Sequence, residues 1–204
     1  MRTTHVIMGK DSNYADALAR FQKLLRRAET TQLQEPAAMS LATADLKGRP
    51  TLRIVLLRGF DERGFVFFTN SESRKGEQLA VNPHAAICFY WDELGEQVRI
   101  EGVTNPISNE ESNAYWSKRP RESQIASSAS KQSQVLPDRR TFERDAAELE
   151  SKLTGQAVPR PPNWFGYRVI PSRIEFWTRR DARMHERTIY EKVGDDWTTY
   201  CVYP

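Results

Sequence analysis

Three side chains near the carboxyl end could bind an anion together. Arg183, His185 and Arg187 are spaced two positions apart, and alternate side chains of an extended strand point to one face. If Arg183 to Tyr190 is extended, the spacing predicts a crowded cationic face that needs an anion among its members. The alternative is a solvent-exposed edge strand whose charges prevent it from pairing with a strand of another chain. Because Trp177 and an apolar hairpin adjoin this run, we favour an anionic ligand site.

Two further basic stretches fit the same chemistry. Arg53 and Arg58 bound the apolar run Ile54-Val55-Leu56-Leu57, and their odd spacing predicts that they face opposite sides of a strand, each with its own ligand or interface. Arg74 and Lys75 follow Ser73 at a predicted helix start, where free backbone N–H groups and cations favour a phosphate. A solvated helix start is an equally good interpretation of that stretch alone.

The segment from Arg119 to Ser133 is rich in hydroxyl and amide side chains. A low-complexity linker is the simplest interpretation of such a composition. The same evenly spaced donors equally suit a phosphate or the edge of a ring.

Two apparent motifs are rejected because their essential residues are missing. Gly59 to Gly64 has the glycine spacing of a P-loop, but Phe65-Val66 follows where lysine and a hydroxyl residue are required. His185-Glu186 begins like a zinc protease motif, but Ile189 replaces the second histidine. The sequence also lacks a dinucleotide fingerprint and a serine elbow. We therefore expect no metal site, and neither nicotinamide nor serine-hydrolase chemistry.

Composition places the chain among ordinary globular proteins. It has 204 residues, 39% hydrophobic and 28% charged, with a formal net charge of +3. This near balance argues against a nucleic-acid binder, and no apolar run approaches membrane-spanning length. Two scattered cysteines form no disulfide framework, so we expect a cytoplasmic protein with neither nucleic acid nor membrane as its partner.

The periodicity predicts an α+β, mainly β, chain. A helix is expected from Ser12 to about Ala28, after a loose tail over residues 1–11. Further helices are predicted at 73–81, 109–118 and 138–153, and β-rich segments at 39–44, 49–60, 65–70, 85–91, 97–104, 164–170, 173–178, 187–193 and 197–202. Strands at this spacing indicate an antiparallel barrel or sandwich. We expect one domain over residues 12–204, with a helical insertion around 109–153.

In combination these stretches resemble the pyridoxamine 5′-phosphate oxidase family, flavin enzymes with a split β-barrel. The resemblance is carried by Arg53-Ile54-Val55-Leu56-Leu57-Arg58, Phe67-Phe68-Thr69-Asn70 with Ser73-Arg74-Lys75, Gln97-Val98, Tyr115 with Ser117 to Ile125, Ser130-Lys131-Gln132-Ser133, and Ile174-Glu175-Phe176-Trp177 with Arg183-Met184-His185-Glu186-Arg187. It covers nearly everything from about Glu35 onward. Each motif is weak alone, but their shared order is specific.

The resemblance implies a flavin mononucleotide (FMN) at a homodimer interface. The residues it implies for the cofactor are Arg53, Ile54, Val55, Leu56, Leu57, Arg58, Phe68, Thr69, Arg74, Lys75, Gln97, Gln132, Ser133, Trp177 and Arg187. Of these, Gln132, Ser133, Trp177 and Arg187 are expected from the partner subunit. The substrate phosphate would meet Arg58, Tyr115, Arg119 and Ser123, with Arg183, Met184 and His185 at the pyridine ring and Arg183 and His185 as the catalytic pair.

The implied reaction oxidises pyridoxamine or pyridoxine 5′-phosphate to pyridoxal 5′-phosphate, with O₂ as acceptor and hydrogen peroxide as product. The chain departs from the family pattern at Arg58, where lysine is usual, and at the end, Cys201-Val202-Tyr203-Pro204. Its early residues also lack a usual arginine- and tyrosine-bearing segment. These departures keep open a relative that oxidises another reduced ring, such as a dihydrophenazine, and a flavin-binding protein without oxidase activity.

Overall fold

The structure, a computed structural model, describes residues 12–204. The helices are α1 (Ser12–Glu29), α2 (Arg74–Val81), α3 (Asn109–Trp116), α4 (Arg121–Ala129) and α5 (Arg139–Lys152). The strands are β1 (Ala38–Ala44), β2 (Pro50–Leu56), β3 (Gly59–Asp61), β4 (Gly64–Asn70), β5 (His84–Trp91), β6 (Glu96–Pro106), β7 (Trp164–Thr178), β8 (Glu186–Val193) and β9 (Asp196–Cys201). The tail predicted over residues 1–11 lies outside the described residues.

All nine strands belong to one antiparallel sheet. Its main path runs β2-β1-β5-β6-β7-β4-β3, and β8 and β9 continue from the second half of β7. β7 is the central strand, because it pairs with β6 along its length, with β4 through its first half and with β8 through its second. A bulge at Glu101/Gly102 lies opposite Pro171, a site where a strand tolerates proline. A Cβ on Gly102 would lie 2.0 Å from the Ile170 carbonyl oxygen, so glycine is required there.

The sheet curls so that its ends approach each other. After β2, the backbone N–H of Leu57 donates to Ala37 and that of Arg58 donates to the carbonyl of Val66 on β4. Helix α1 covers the opening of the curl with Phe21, which is fully buried and lies 5.0 to 5.1 Å from two aromatic rings of the sheet. Burial of one such side chain stabilises the fold by about 2 kcal/mol. The α+β split-barrel prediction is confirmed.

Four predicted elements differ from those observed. The segment 49–60 divides into β2 and β3, because Leu57 turns into the core and Arg58 crosses to β4. Strands predicted at 164–170 and 173–178 form one strand through the bulge. The hydroxyl-rich segment contains helix α4 rather than only linker. Finally, β8 begins at Glu186, so the strand predicted at 187–193 is observed, whereas the extended run considered from Arg183 is wrong at its start.

None of the helices in the described residues is both long enough and apolar enough to cross a membrane.

Candidate active site

A cavity of about 690 Å³ opens beside the edge strand β2. Its walls come from β2, the end of β4, α2, the residues after α3, α4 and the segment that follows α4. The lining residues are Arg53, Ile54, Val55, Leu56, Arg58, Phe68, Thr69, Asn70, Lys75, Tyr115, Arg119, Pro120, Ser123, Ala126, Ser127, Ser130, Gln132, Ser133, Phe142 and Trp164. The volume lies within the usual range for a cavity that binds a small organic ligand.

One end of the cavity is built around a buried lysine. The Lys75 ammonium donates to Thr69 Oγ1 at 3.1 Å, to Ser73 Oγ at 3.2 Å and to Gln132 Oε1 at 3.3 Å. All three acceptors are neutral. Burial, with the nearby positive charge of Arg53, lowers the pKa of Lys75 to about 8. An anion in the cavity would relieve both effects.

Arg53 lies at the same end and is fixed by neutral groups of β1 and β2. It donates to the Leu41 carbonyl at 3.0 Å and to Thr43 Oγ1 at 2.7 Å, and it also donates to Thr51 Oγ1. Both threonine hydroxyls in turn donate to Gln78 Oε1 at 2.6 Å. This chain of hydrogen bonds orients the guanidinium without neutralising it.

The start of α2 adds to the positive potential of this end. Ser73 caps the helix by accepting from the Gly76 N–H, and a Cβ at Gly76 would lie 2.3 Å from the Ser71 carbonyl oxygen. The tight turn places Lys75 inside the cavity, while the Arg74 side chain is exposed and does not line it. Desolvation, with the charge of Arg74, lowers the pKa of Arg53.

The second end of the cavity is basic and aromatic. The Arg119 guanidinium lies 4.7 Å from the centroid of the Trp164 ring, and Tyr115 stacks on Phe68 with their centroids 4.0 Å apart. Burial lowers the pKa of Arg119, and the nearby Arg58 lowers it further. Arg58 lines the same cavity as Arg53 and Arg119, so the prediction that Arg53 and Arg58 face opposite sides of one strand is wrong. β2 ends at Leu56, and Arg58 lies beyond it.

The cations of the cavity have no carboxylate partners. Within residues 12–204, ion pairs form with many arginines, but none involves Arg53, Arg58, Lys75 or Arg119. Lys75 is buried, Arg53 and Arg119 are partly buried, and Arg58 is exposed. A charge removed from water is normally paired. Four uncompensated cations at two ends of one cavity are suited to a ligand, or a pair of ligands, with two anionic groups.

A second group of predicted residues lies on the outer face of the sheet. Gln97, Trp177 and Arg187 are directly opposite one another on β6, β7 and β8 and therefore share a face. The Arg187 guanidinium is held by Glu175, which lies two residues before Trp177 on β7, with Nε to Oε1 at 2.8 Å. Trp177 also contacts His185, with ring centroids 4.6 Å apart.

The segment before β8 is a turn, which changes the geometry predicted for Arg183 and His185. Ala182 and Arg183 have φ of 51° and 61°, in the left-handed region. The Arg180 N–H donates to His185 Nδ1 at 3.1 Å, and Arg180 pairs with Glu186 across the turn at 2.9 Å. Arg183, His185 and Arg187 therefore do not share the face of one strand.

The two groups are too far apart in one chain to contact the same small ligand. Trp164, at the start of β7, lines the cavity, and Trp177 lies thirteen residues further along the same strand. At about 3.3 Å a residue, this separation is roughly 40 Å along the strand. The predicted residues outside the cavity are Leu57, which is in the core, and Arg74, Gln97, Trp177, Arg183, Met184, His185 and Arg187.

Gln132 and Ser133 are placed differently from the expectation. The resemblance implied that they reach the cofactor from the partner subunit. Both line the cavity of their own chain, and Gln132 bonds Thr69 and Lys75 of that chain. Ser133 has φ of 74°, and this turn directs the segment after α4 into the cavity wall.

Several residues of the site were missed from sequence. Thr43, Thr51 and Gln78 support Arg53, and no local pattern brings them together. Ser127 follows Ser123 by one helical turn, a spacing that becomes informative only once the segment is known to be a helix. Phe142 on α5 also reaches the cavity.

Fold and cavity together define a split-barrel protein with a site for anionic organic ligands. Residues 25–153 match the family model described as pyridoxamine 5′-phosphate oxidase, and residues 164–204 match the one described as the pyridoxine 5′-phosphate oxidase C-terminal dimerisation region. The chain belongs to the pyridoxamine 5′-phosphate oxidase family, and the second match supports a homodimer.

Similar proteins cover nearly the whole chain. A pyridoxine/pyridoxamine 5′-phosphate oxidase of Myxococcus xanthus (strain DK1622) is 48% identical over 189 residues, which are 93% of this chain and 92% of that protein. One of Alkalilimnicola ehrlichii is 51% identical over 183 residues, 89% of this chain and 93% of that protein. The crystal structure of PhzG from Burkholderia lata 383, in complex with tetrahydrophenazine-1-carboxylic acid, has a TM-score of 0.88 and 35% identity, and the match covers 99% of this chain and 100% of that one.

Proposed function

We propose that the protein is an FMN-dependent oxidase that converts pyridoxamine or pyridoxine 5′-phosphate to pyridoxal 5′-phosphate, with O₂ as acceptor and hydrogen peroxide as product. The observation that carries this proposal is the single cavity with an uncompensated basic cluster at each end. Two phosphate-bearing ligands, the cofactor and the substrate, account for both clusters. The names of the relatives that cover most of the chain agree with this reaction.

The residues at the Lys75 end fit the phosphate of FMN. Lys75, Thr69 and Gln132 supply a buried ammonium, a hydroxyl and an amide within one hydrogen-bonded group, and the Arg53 guanidinium lines the same end of the cavity. Charge-assisted hydrogen bonds of this kind contribute about 1.5 to 3 kcal/mol each. When bound, FMN supplies the redox chemistry by accepting a hydride equivalent from the substrate and passing the electrons to oxygen.

A second subunit completes the site in this proposal. Trp177 and Arg187 lie opposite each other on the outer sheet face, roughly 40 Å along β7 from Trp164, which lines their own cavity. The exposed apolar side chains of Leu52 and Ile54 on β2 give the same face a surface suited to burial. A two-fold contact through this face would bring the Trp177 group of one chain to the β2 cavity of the other, in two equivalent sites.

The substrate would be oriented from both of its ends. Arg58, Tyr115, Arg119 and Ser123 would bind its phosphate inside the cavity. Arg183 is exposed on its turn, and it and His185 would bind and orient the ring from the partner chain. His185 Nδ1 accepts the Arg180 N–H, so Nε2 is the ring nitrogen that would donate a hydrogen bond to the substrate.

A second candidate function is oxidation of a different reduced ring. Its support is the similarity in fold and sequence to PhzG, whose structure contains tetrahydrophenazine-1-carboxylic acid. That ligand has a carboxylate but no phosphate. The two guanidinium groups of Arg58 and Arg119 suit a phosphate, with up to two negative charges, better than a carboxylate with one, which favours the phosphorylated vitamers.

An oxygen-electrode assay distinguishes the candidates. Purified protein saturated with FMN is given pyridoxine 5′-phosphate, pyridoxamine 5′-phosphate and a dihydrophenazine carboxylate in separate reactions. We expect oxygen uptake with both vitamers and formation of pyridoxal 5′-phosphate, measured by its absorbance. Turnover of the dihydrophenazine alone would establish the second candidate, and a protein that binds FMN without turnover would contradict both. We also propose that residues 12–204 act as one domain, since their strands form one sheet.

A further inference from the structure

Arg119 is held in place by a serine that no sequence pattern singled out. Its Nη2 donates to Ser127 Oγ at 3.0 Å and to the Ser123 carbonyl at 3.3 Å. Ser123 and Ser127 are one turn apart on α4, so they lie on the same helix face. Both line the cavity.

The aromatic surroundings restrict Arg119 further. Its guanidinium carbon lies 4.7 Å from the centroid of the Trp164 ring and 5.5 Å from that of the Trp116 ring. With Nη2 occupied by Ser123 and Ser127, the Nε and Nη1 groups have no hydrogen-bond acceptor among residues 12–204. Arg119 therefore presents unused donors in a fixed orientation, without the entropy cost of ordering a long side chain when a ligand binds.

The Ser127 hydroxyl has a donor of its own. A serine hydroxyl can accept and donate at the same time. Its oxygen accepts from Arg119, and its proton has no acceptor within the described part of the chain. The neighbouring Ser128 differs, because its hydroxyl is buried without any partner and does not line the cavity.

We propose that Ser127 is a positioning residue that fixes Arg119 for the substrate phosphate and so contributes to the preference for phosphorylated over unphosphorylated vitamers. This inference rests on the proposed function. Ser127 acts through Arg119 and through its own free O–H at the phosphate end of the cavity. It does not contact the end where Lys75 lies, so flavin binding is independent of it.

The test compares Ser127→Ala with Ser127→Thr and Ser128→Ala in the FMN-saturated dimer. Loss of one hydrogen bond to a charged group predicts a KM for pyridoxine 5′-phosphate raised about 10-fold in Ser127→Ala, with kcat within about 2-fold. Inorganic phosphate, used as a competitive inhibitor, should lose affinity by a similar factor. Ser127→Thr keeps the hydroxyl and should restore both constants, and Ser128→Ala should match the wild type.

The outcomes separate this inference from the proposed function. A wild-type protein that oxidises neither vitamer would refute the proposed function itself. A wild type that turns over pyridoxine 5′-phosphate, with KM and phosphate inhibition unchanged in Ser127→Ala, would overturn only the role of Ser127. The same conclusion follows if Ser127→Ala lowers kcat alone, or if Ser128→Ala produces the same rise in KM.

Discussion

Glu175 and Arg187 form a two-point ion pair between β7 and β8, with Nε to Oε1 at 2.8 Å and Nη2 to Oε2 at 3.2 Å. Glu175 is only 1% exposed, and Arg99 and Arg173 donate to the same carboxylate. The remaining Arg187 amino group donates to the Tyr203 carbonyl at 3.0 Å. The arginine expected to reach the flavin is thus oriented before any ligand binds.

Removal of this carboxylate should cost stability in a pH-dependent way. Burial raises the pKa of Glu175, but the hydrogen bonds from Arg187 and Arg99 outweigh that effect and hold the pKa below its usual value. Its contribution is therefore complete above the unfolded-state pKa of about 4.3 and is lost as the pH falls through the folded-state value. We expect Glu175→Gln to lower the free energy of unfolding by about 3 kcal/mol at pH 7.

Urea unfolding of the wild type and Glu175→Gln at pH 7, 5 and 3 measures this effect. The difference between them should be largest at pH 7 and should shrink as the pH falls below about 4.3, because the unfolded chain takes up a proton more readily than the folded carboxylate. A difference that is constant across this range would contradict the ionic role of Glu175.

Lys75 predicts a pH dependence of cofactor binding. Its pKa in the protein without ligand is lowered to about 8 by burial and by Arg53, so part of the population loses its charge above that pH. A phosphate favours the charged form, so binding takes up a proton and the affinity for FMN should fall as the pH rises through 8.

Quenching of FMN fluorescence by the apoprotein between pH 7 and 9.5 measures this fall. Arginine keeps its charge over that range, so Lys75→Arg should bind with an affinity that barely changes with pH. Lys75→Met should bind at least 10-fold more weakly at pH 7, since a charge-assisted hydrogen bond is lost. An unchanged pH profile in Lys75→Arg would show that another group titrates.

Local sequence patterns predict the strands of this protein better than the faces on which its charged side chains lie. The period-two segments predicted most strands, because alternation reports which side of a sheet is buried. The odd spacing of Arg53 and Arg58 predicted opposite faces of one strand, but β2 ends at Leu56. The strand ends there because Arg58 crosses to β4, which is distant in sequence. The face proposed for Arg183, His185 and Arg187 failed for a similar reason. The left-handed backbone conformations of Ala182 and Arg183 cannot be predicted from the residue types, because neither residue is glycine.

The sequence predicted which residues belong to the candidate site better than it predicted how they are arranged. Motif order selected Arg53, Lys75, Tyr115, Arg119 and Gln132, which the fold brings into one cavity. The residues that hold these side chains in place come from elements distant in sequence. Gln78 meets the hydroxyls of Thr43 and Thr51 only because α2 packs on β1 and β2, and no spacing in the sequence encodes that contact.

A closed ring of four charges should stabilise the wall behind the substrate end. Arg168 donates to Asp61 at 2.7 Å and to Glu111 at 3.1 Å, and Arg63 pairs with the same two carboxylates at 2.6 and 3.2 Å. The Arg168 side chain is 10% exposed, and that of Arg63 is 57% exposed. We expect Arg168→Met to lower the free energy of unfolding by about 3 kcal/mol, and Arg63→Met by less than about 1 kcal/mol.

Equilibrium unfolding in urea of both variants at the same pH compares the two positions directly. Because Glu111 lies on α3 one turn before Tyr115, Arg168→Met should also raise the KM for pyridoxine 5′-phosphate, whereas Arg63→Met should not. Equal losses of stability in the two variants would contradict the distinction between a buried and an exposed member of the ring.

In the proposed dimer, each active site combines the β2 cavity of one chain with the Arg183 turn of its partner. One chain carrying Arg58→Met and Arg119→Met, and another carrying Arg183→Leu, should each form dimers that retain FMN but oxidise pyridoxine 5′-phosphate at least 100-fold more slowly than the wild type. In a heterodimer of the two, purified through two different affinity tags, one of the two sites contains only wild-type residues. We expect about half of the wild-type activity for that heterodimer, and activity no higher than that of the parent variants would show that the two chains do not share a site.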